Sequence, residues 1–267
     1  MRKIYGILFS IMLLCFGCQW QLKPSDAGDA IQISIERYDR IESLYLTTGD
    51  HSALRQMNTY FPMQTRTLIE DVLRLGKVDD PETNHRFLHF FQDSTLQRML
   101  ADVQQQYADM DDINNELAAA FERLQARMPA LKIPHFYAQI GSFDQSIIVA
   151  DGSLGISLDK YLGADYPFYR ENYRDDQRSM MVRSMIVPDC LAFYLLSLYP
   201  APRELAGTPD GRHQHMSKIQ WVVNEVVGRD VFHGKMISDI DDYMKSHQQQ
   251  TIDALLRGNV NYYFSKK

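Results

Sequence analysis

His85 and His89 in the string HRFLH stand four residues apart, and on a helix that spacing brings two imidazoles to one face, as in a zinc-peptidase helix. Arg86 occupies the place where such a helix needs a glutamate to take a proton from metal-bound water, and a cation beside a divalent ion carries the wrong charge. His213 and His215 alternate in GRHQHMS, a segment that reads as a solvated turn in or near a loop. The acidic strings DMDDINNE and DIDDY lack the glycine and ligand order of a calcium loop and read as helix caps and solvated faces. No G-x-S-x-G, G-x-x-x-x-G-K-[ST] or G-x-G-x-x-G string occurs, and Cys190 sits in an apolar run where a thiol packs as a small hydrophobe. These residues predict no catalytic set, no metal site and no cofactor.

The densest polar and aromatic chemistry lies in GISLDKYLGADYPFY, residues 155–169, which carries Asp159, Tyr161, Asp165, Tyr166 and Tyr169. One reading buries the rings over a sheet with their hydroxyls at the surface, while Gly163 permits an unusual backbone angle. The other lines a pocket for a polar ligand or partner. Both stay open on composition.

The elements that must position these residues follow from periodicity. IQISIERYD alternates Ile31, Ile33 and Ile35 with polar residues and predicts a half-buried strand. From about 40 to 127 the period lengthens to that of helices, with a cap at Asp93 or Ser94 and a stop before Pro129. Asp151-Gly152 between SIIVA and SLGISL predicts a hairpin, so a small antiparallel sheet is expected, joined by the Ile31 strand. PDCLAFYLLSLY is apolar nearly all round and reads as a buried helix, with Pro188 at a kink or near the start. Residues 200–213 read as a loop, followed by helices at about 214–227 and 248–257. The fold class expected is α+β: one mainly helical domain with a small antiparallel sheet.

The ends address location. Arg2 and Lys3, an apolar run from Ile4 to Phe16 and then Gly17-Cys18 form an export signal too short to span a bilayer. Glycine before cysteine resembles a bacterial lipobox, although Cys15 stands where leucine is usual, so Cys18 is expected to be lipidated. The division expected is 1–17 signal peptide, 18–30 lipidated tether and 31–267 globular domain. Acyl chains contribute about 0.8 kcal/mol per buried methylene, so two or more hold a domain on a membrane. Loss of residues 1–17 removes Arg2 and Lys3 and takes the formal charge from −6 to −8, which argues against nucleic acid as a partner. With Cys15 removed and Cys18 acylated, Cys190 alone remains, so the fold needs no disulfide.

IERYD, KIPHFYAQIGSFDQSIIVADGSLGISLDKYLGADYPFY, VPD and the later WVVNE of Trp221 to Glu225 together resemble the GldB family of gliding-motility lipoproteins of Bacteroidetes, over residues 31 to about 240. The resemblance implies a lipoprotein of the cell envelope, at the outer membrane, that binds an envelope protein in a gliding or secretion-linked assembly without a demonstrated reaction. Asp159, Tyr161, Asp165, Tyr166, Tyr169, Trp221 and Glu225 are then the candidate binding residues. The order of helices, hairpin and buried helix is also similar to a degenerate zincin-like scaffold, yet no histidine occurs between His135 and His213 to serve that helix. Two rival readings remain: a metal-dependent hydrolase using His85, His89 and Glu225 or Asp189, and an envelope glycan binder using the aromatic string.

Overall fold

The computed structural model describes residues 31–258. The expected signal peptide, Cys18 and tether lie outside the described residues. Helices come first: α1 (Tyr38–Thr48), α2 (His51–Tyr60), α3 (Pro62–Arg66, continued by a wider turn over Thr67–Val72), α4 (Pro81–Phe90), α5 (Ser94–Gln106) and α6 (Asp111–Arg127). Asp93 caps α5, accepting from the backbone of Thr95 and Leu96 as its position before the apolar period predicts.

Strands β1 (His135–Gln139), β2 (Ile147–Ala150) and β3 (Ser153–Ser157) form one sheet in the order β1-β3-β2. The hairpin is present: β2 and β3 pair antiparallel, and Asp151 and Gly152 take φ of 46° and 75°, the left-handed geometry of a two-residue turn. The expected all-antiparallel sheet is corrected, because β1 runs parallel to β3. The strand expected at Ile31 is also corrected. Residues 31–35 join no ladder, and the contact is a single bridge between Glu36 and Tyr137. The alternation itself holds, with Ile35 buried between exposed Ser34 and Glu36. Its N–H is taken by Asn114 Oδ1 at 3.1 Å rather than by a strand.

The remaining elements are α7 (Pro167–Asn172), α8 (Asp175–Arg178), α9 (Ile186–Leu198), α10 (Arg203–Ala206), α11 (Pro209–Val227), α12 (Lys235–Ser246) and α13 (Ile252–Leu256). Pro188 lies in the first turn of α9, where its missing N–H has no helical partner to lose. The helix α9 is buried from Ile186 to Leu195 except at Asp189 and Phe193, so the all-round burial expected is corrected: Phe193 is 40% and Leu198 46% exposed. It packs on α11 and the hairpin. Residues 200–213 are not all loop: Thr208 caps α11, accepting from Gly211 N. His215 therefore sits on a helix, 2% exposed, with Nε2 at 2.7 Å from the Tyr199 carbonyl oxygen. The helix α12 has no counterpart in the sequence reading, since Ile237 and Ile240 hide among the acids of its outer face.

A single hydrophobic core runs through the described residues, so the α+β, mainly helical architecture stands. A zincin-like scaffold is not supported: α9 presents no metal-ligating set, and among the described residues no three His, Cys, Asp or Glu side chains gather as a metal ion requires.

Candidate functional site

The string 155–169 is spent largely on holding the loop between β1 and β2. Asp159 is fully buried, and its carboxylate accepts the backbone N–H of Gly141 at 2.7 Å and of Phe143 at 2.5 Å. Ser142 and Phe143 both sit at positive φ, 53° and 66°, a pair of strained non-glycine positions that the carboxylate pins in place. Burial raises the Asp159 pKa while the two N–H groups oppose it. The Phe143 ring stacks on Phe168 at 4.0 Å, and its carbonyl accepts from Lys160 Nζ and the Tyr173 hydroxyl, each at 3.0 Å.

The tyrosines tie this loop to the helices. Tyr169 is fully buried and its hydroxyl donates to the Asp159 carbonyl. Tyr161 is buried with its hydroxyl on Asp189 Oδ2 at 2.7 Å, and its own carbonyl accepts from Tyr107 at 2.6 Å. Tyr166 reaches Asp102 on α5 at 2.9 Å. Asp165 points outward, its side chain 95% exposed and 4.0 Å from Arg178. Four of the five candidate residues in the string thus meet in one buried or half-buried network, and Asp165 does not join it. Asp189, half-buried at the start of α9, has its pKa pushed up to about 6 by burial, against the pull of the Tyr161 hydroxyl.

Trp221 and Glu225 lie elsewhere, one turn apart on α11. Trp221 is 6% exposed and its indole N–H donates to Asp241 at 3.3 Å, while Glu225 pairs with Arg127 at 2.8 Å. His85 and His89 are on the surface of α4 with ring centroids 6.5 Å apart. The recess they line contains Thr47, Thr48 and Gln92 but no carboxylate. Glu225 is held by Arg127 and Asp189 by Tyr161, so neither completes a set with this pair.

A recess of about 770 Å³ opens on another face. It is built from four stretches: the link between α6 and β1, the hairpin, the end of α9, and α13. Leu131, Ile133, Val149, Leu154, Tyr194 and Leu198 make its walls apolar. The link is held on both sides, because Gln125 Nε2 donates to the Leu131 carbonyl at 2.9 Å and the Tyr194 hydroxyl to the Lys132 carbonyl at 2.5 Å. The groove is therefore preformed.

Its rim carries paired charges and one further cation, Lys132. Arg127 and Arg257 are matched by Glu225 and Asp253, each at 2.8 Å, and Asp253 also accepts from the Tyr199 hydroxyl at 2.8 Å. Lys132 is exposed and has no carboxylate partner among the described residues. A recess of this size with apolar walls and a few placed polar groups is the usual form of a ligand site. None of its wall residues was singled out in the sequence. The signal available was the apolar link MPALKIP, whose two prolines bracket Leu131 and Ile133 and forbid regular structure.

A family model described as "Gliding motility protein GldB" matches residues 19–207. That span includes the Asp159 clamp, the hairpin and α9, and ends before Trp221 and Glu225. No curated protein and no solved structure matches the chain.

Proposed function

Because the chain belongs to the GldB family of gliding motility proteins, we propose that it is a lipid-anchored protein of the cell envelope, at the outer membrane. It has no reaction of its own and binds an envelope protein in a gliding or secretion-linked assembly. Cys18 carries the lipid, residues 18–30 are the tether and residues from 31 onward are the binding body. No helix among the described residues is long and apolar enough to cross a membrane.

The observation that carries the binding role is the apolar groove with Lys132 at its rim. Asp159, Tyr161 and Tyr169 direct their polar groups inward, so they act by shaping the body rather than by touching a partner. The family match supports the envelope location, and the acyl chains would supply bilayer affinity.

The test is photo-crosslinking in living cells from position 198 in the groove, with position 60 on α2 as a control, since Leu198 is 46% and Tyr60 72% exposed. A discrete envelope protein trapped from 198 and not from 60 is the expected result. Identical adduct patterns from both positions would refute the groove as the binding surface. Mass spectrometry of the mature N-terminus checks the anchor, and an unacylated Cys18 would overturn it.

A further inference from the structure

The sheet order makes β2 an outer strand, because β3 lies between it and β1. Ser157 N donates to Ser146 O at 2.9 Å, which makes 146 and 157 a hydrogen-bonded pair. Pairing alternates along an antiparallel ladder, and the register runs Ile147 with Ile156, Ile148 with Gly155 and Val149 with Leu154. Ile148 and Ala150 therefore face β3 with their backbone groups, whereas Ile147 and Val149 direct N–H and C=O off the sheet. Ile147 is 6% exposed, but Val149 is 37% exposed and stands in the groove wall.

An open amide beside an apolar trough is a template for an added strand. We propose that the groove takes an extended peptide segment of the partner, which pairs its backbone with Val149, seats alternate apolar side chains against Leu131, Tyr194 and Leu198, and sets a carboxylate at Lys132. Charge complementarity selects the acid, since Lys132 is the rim cation left without a carboxylate among the described residues. An acyl chain would fill the apolar walls but offers no amide to Val149. This inference rests on the groove being the binding surface, as proposed above.

The test uses the full mature chain and a positional library of acetylated hexapeptides with apolar residues at alternate positions and one aspartate, with decanoate as the acyl probe. The tightest hexapeptide is expected to lose about tenfold or more in affinity when one of its amides is N-methylated, as loss of a backbone hydrogen bond implies. Val149→Pro removes an N–H that has no hydrogen-bond acceptor among the described residues, and proline is tolerated on such an edge. It is expected to weaken the peptide similarly and leave decanoate unaffected. Lys132→Glu should weaken the aspartate peptide and spare its asparagine counterpart.

Equal binding of methylated and unmethylated peptides, or a library with no binder, would overturn strand addition. Decanoate binding without peptide binding would assign the groove to an acyl chain. If Val149→Pro unfolds, the methylated peptide still decides, because it leaves the protein untouched. A partner trapped from position 198 alongside any of these failures would leave the binding role standing and remove only the strand.

Discussion

The Asp159 carboxylate, in the short helical turn Leu158–Lys160 that follows β3, accepts the backbone N–H of Phe143 sixteen residues earlier in the chain, at 2.5 Å and out of reach of water. Its other oxygen takes Gly141 N, so one side chain satisfies two N–H groups of a loop with two residues at positive φ. The loop, the aromatic cluster on Phe143 and the start of β2 depend on that contact.

Asp159→Ala should therefore be among the most damaging substitutions outside the apolar core. It strands two buried N–H groups, each costing about 1–3 kcal/mol, so a total loss of roughly 2–6 kcal/mol is expected from urea unfolding. A loss under about 1 kcal/mol would show that the loop finds other acceptors.

Glu42 on α1 gives a pH dependence of defined sign. Its Oε2 takes Ile140 N at 2.9 Å, its Oε1 has no partner, and burial, reinforced by Asp159 and Asp39, raises its pKa well above the ordinary value. The folded chain keeps a proton that the unfolded chain releases near pH ~4.3. Stability is then highest below that point and falls by about 1.4 kcal/mol per pH unit as pH climbs toward the folded pKa. Glu42→Gln should flatten this decline and raise stability at pH 7 by at least about 1 kcal/mol. Parallel stability curves for the two proteins between pH 5 and 8 would contradict it.

Asp189 acts over a lower window. With its pKa raised to about 6, its contribution is complete below pH ~4, is lost as pH rises to about 6, and amounts to at most about 3 kcal/mol. Asp189→Asn should remove that part of the curve alone. Tyr161→Phe should move the window upward, because it deletes the hydroxyl that stabilises the charged form. An unchanged window in Tyr161→Phe would mean that the hydroxyl does not govern Asp189.

Gly155 is required by a neighbour rather than by its own backbone angle. A methyl group there would lie 2.5 Å from the Tyr137 ring, which crosses it from β1. Gly155→Ala should cost about 1–3 kcal/mol through overpacking, and much less when combined with Tyr137→Ala. Additive losses in thermal or urea unfolding would reject the clash.

Tyr194→Phe tests whether the groove is held open by its own hydrogen bonds. Losing the hydroxyl bond to the Lys132 carbonyl should cost about 1 kcal/mol and speed hydrogen exchange across residues 131–133. Unchanged exchange there would mean that packing alone fixes the link.

Local chemistry determined a good part of this protein. Asp151-Gly152 specifies a two-residue turn through its left-handed angles, Asp93 specifies a helix start through its side-chain oxygen, and the apolar run of α9 specifies burial of most of its residues up to Leu195, though not of Phe193 or Leu198. Each depends on neighbours within a few residues, which is why each was legible. The ordered string at 155–169 was legible as distinctive, and it lies within the span of the family match. Its role was not, because whether Asp159 faces solvent or two backbone amides depends on where the loop after β1 passes.

Tertiary structure decided the rest. Parallel pairing of β1 with β3 leaves no local trace, since the period of two is the same for either direction. His213 reads as a loop residue until Thr208 caps a helix that runs through it from Pro209. The groove exists only because residues near 131, 149, 194 and 257, far apart in the chain, converge on one recess. No window of sequence contains it, because its walls are assembled by packing and its open amide by the position of β2 at the edge of the sheet.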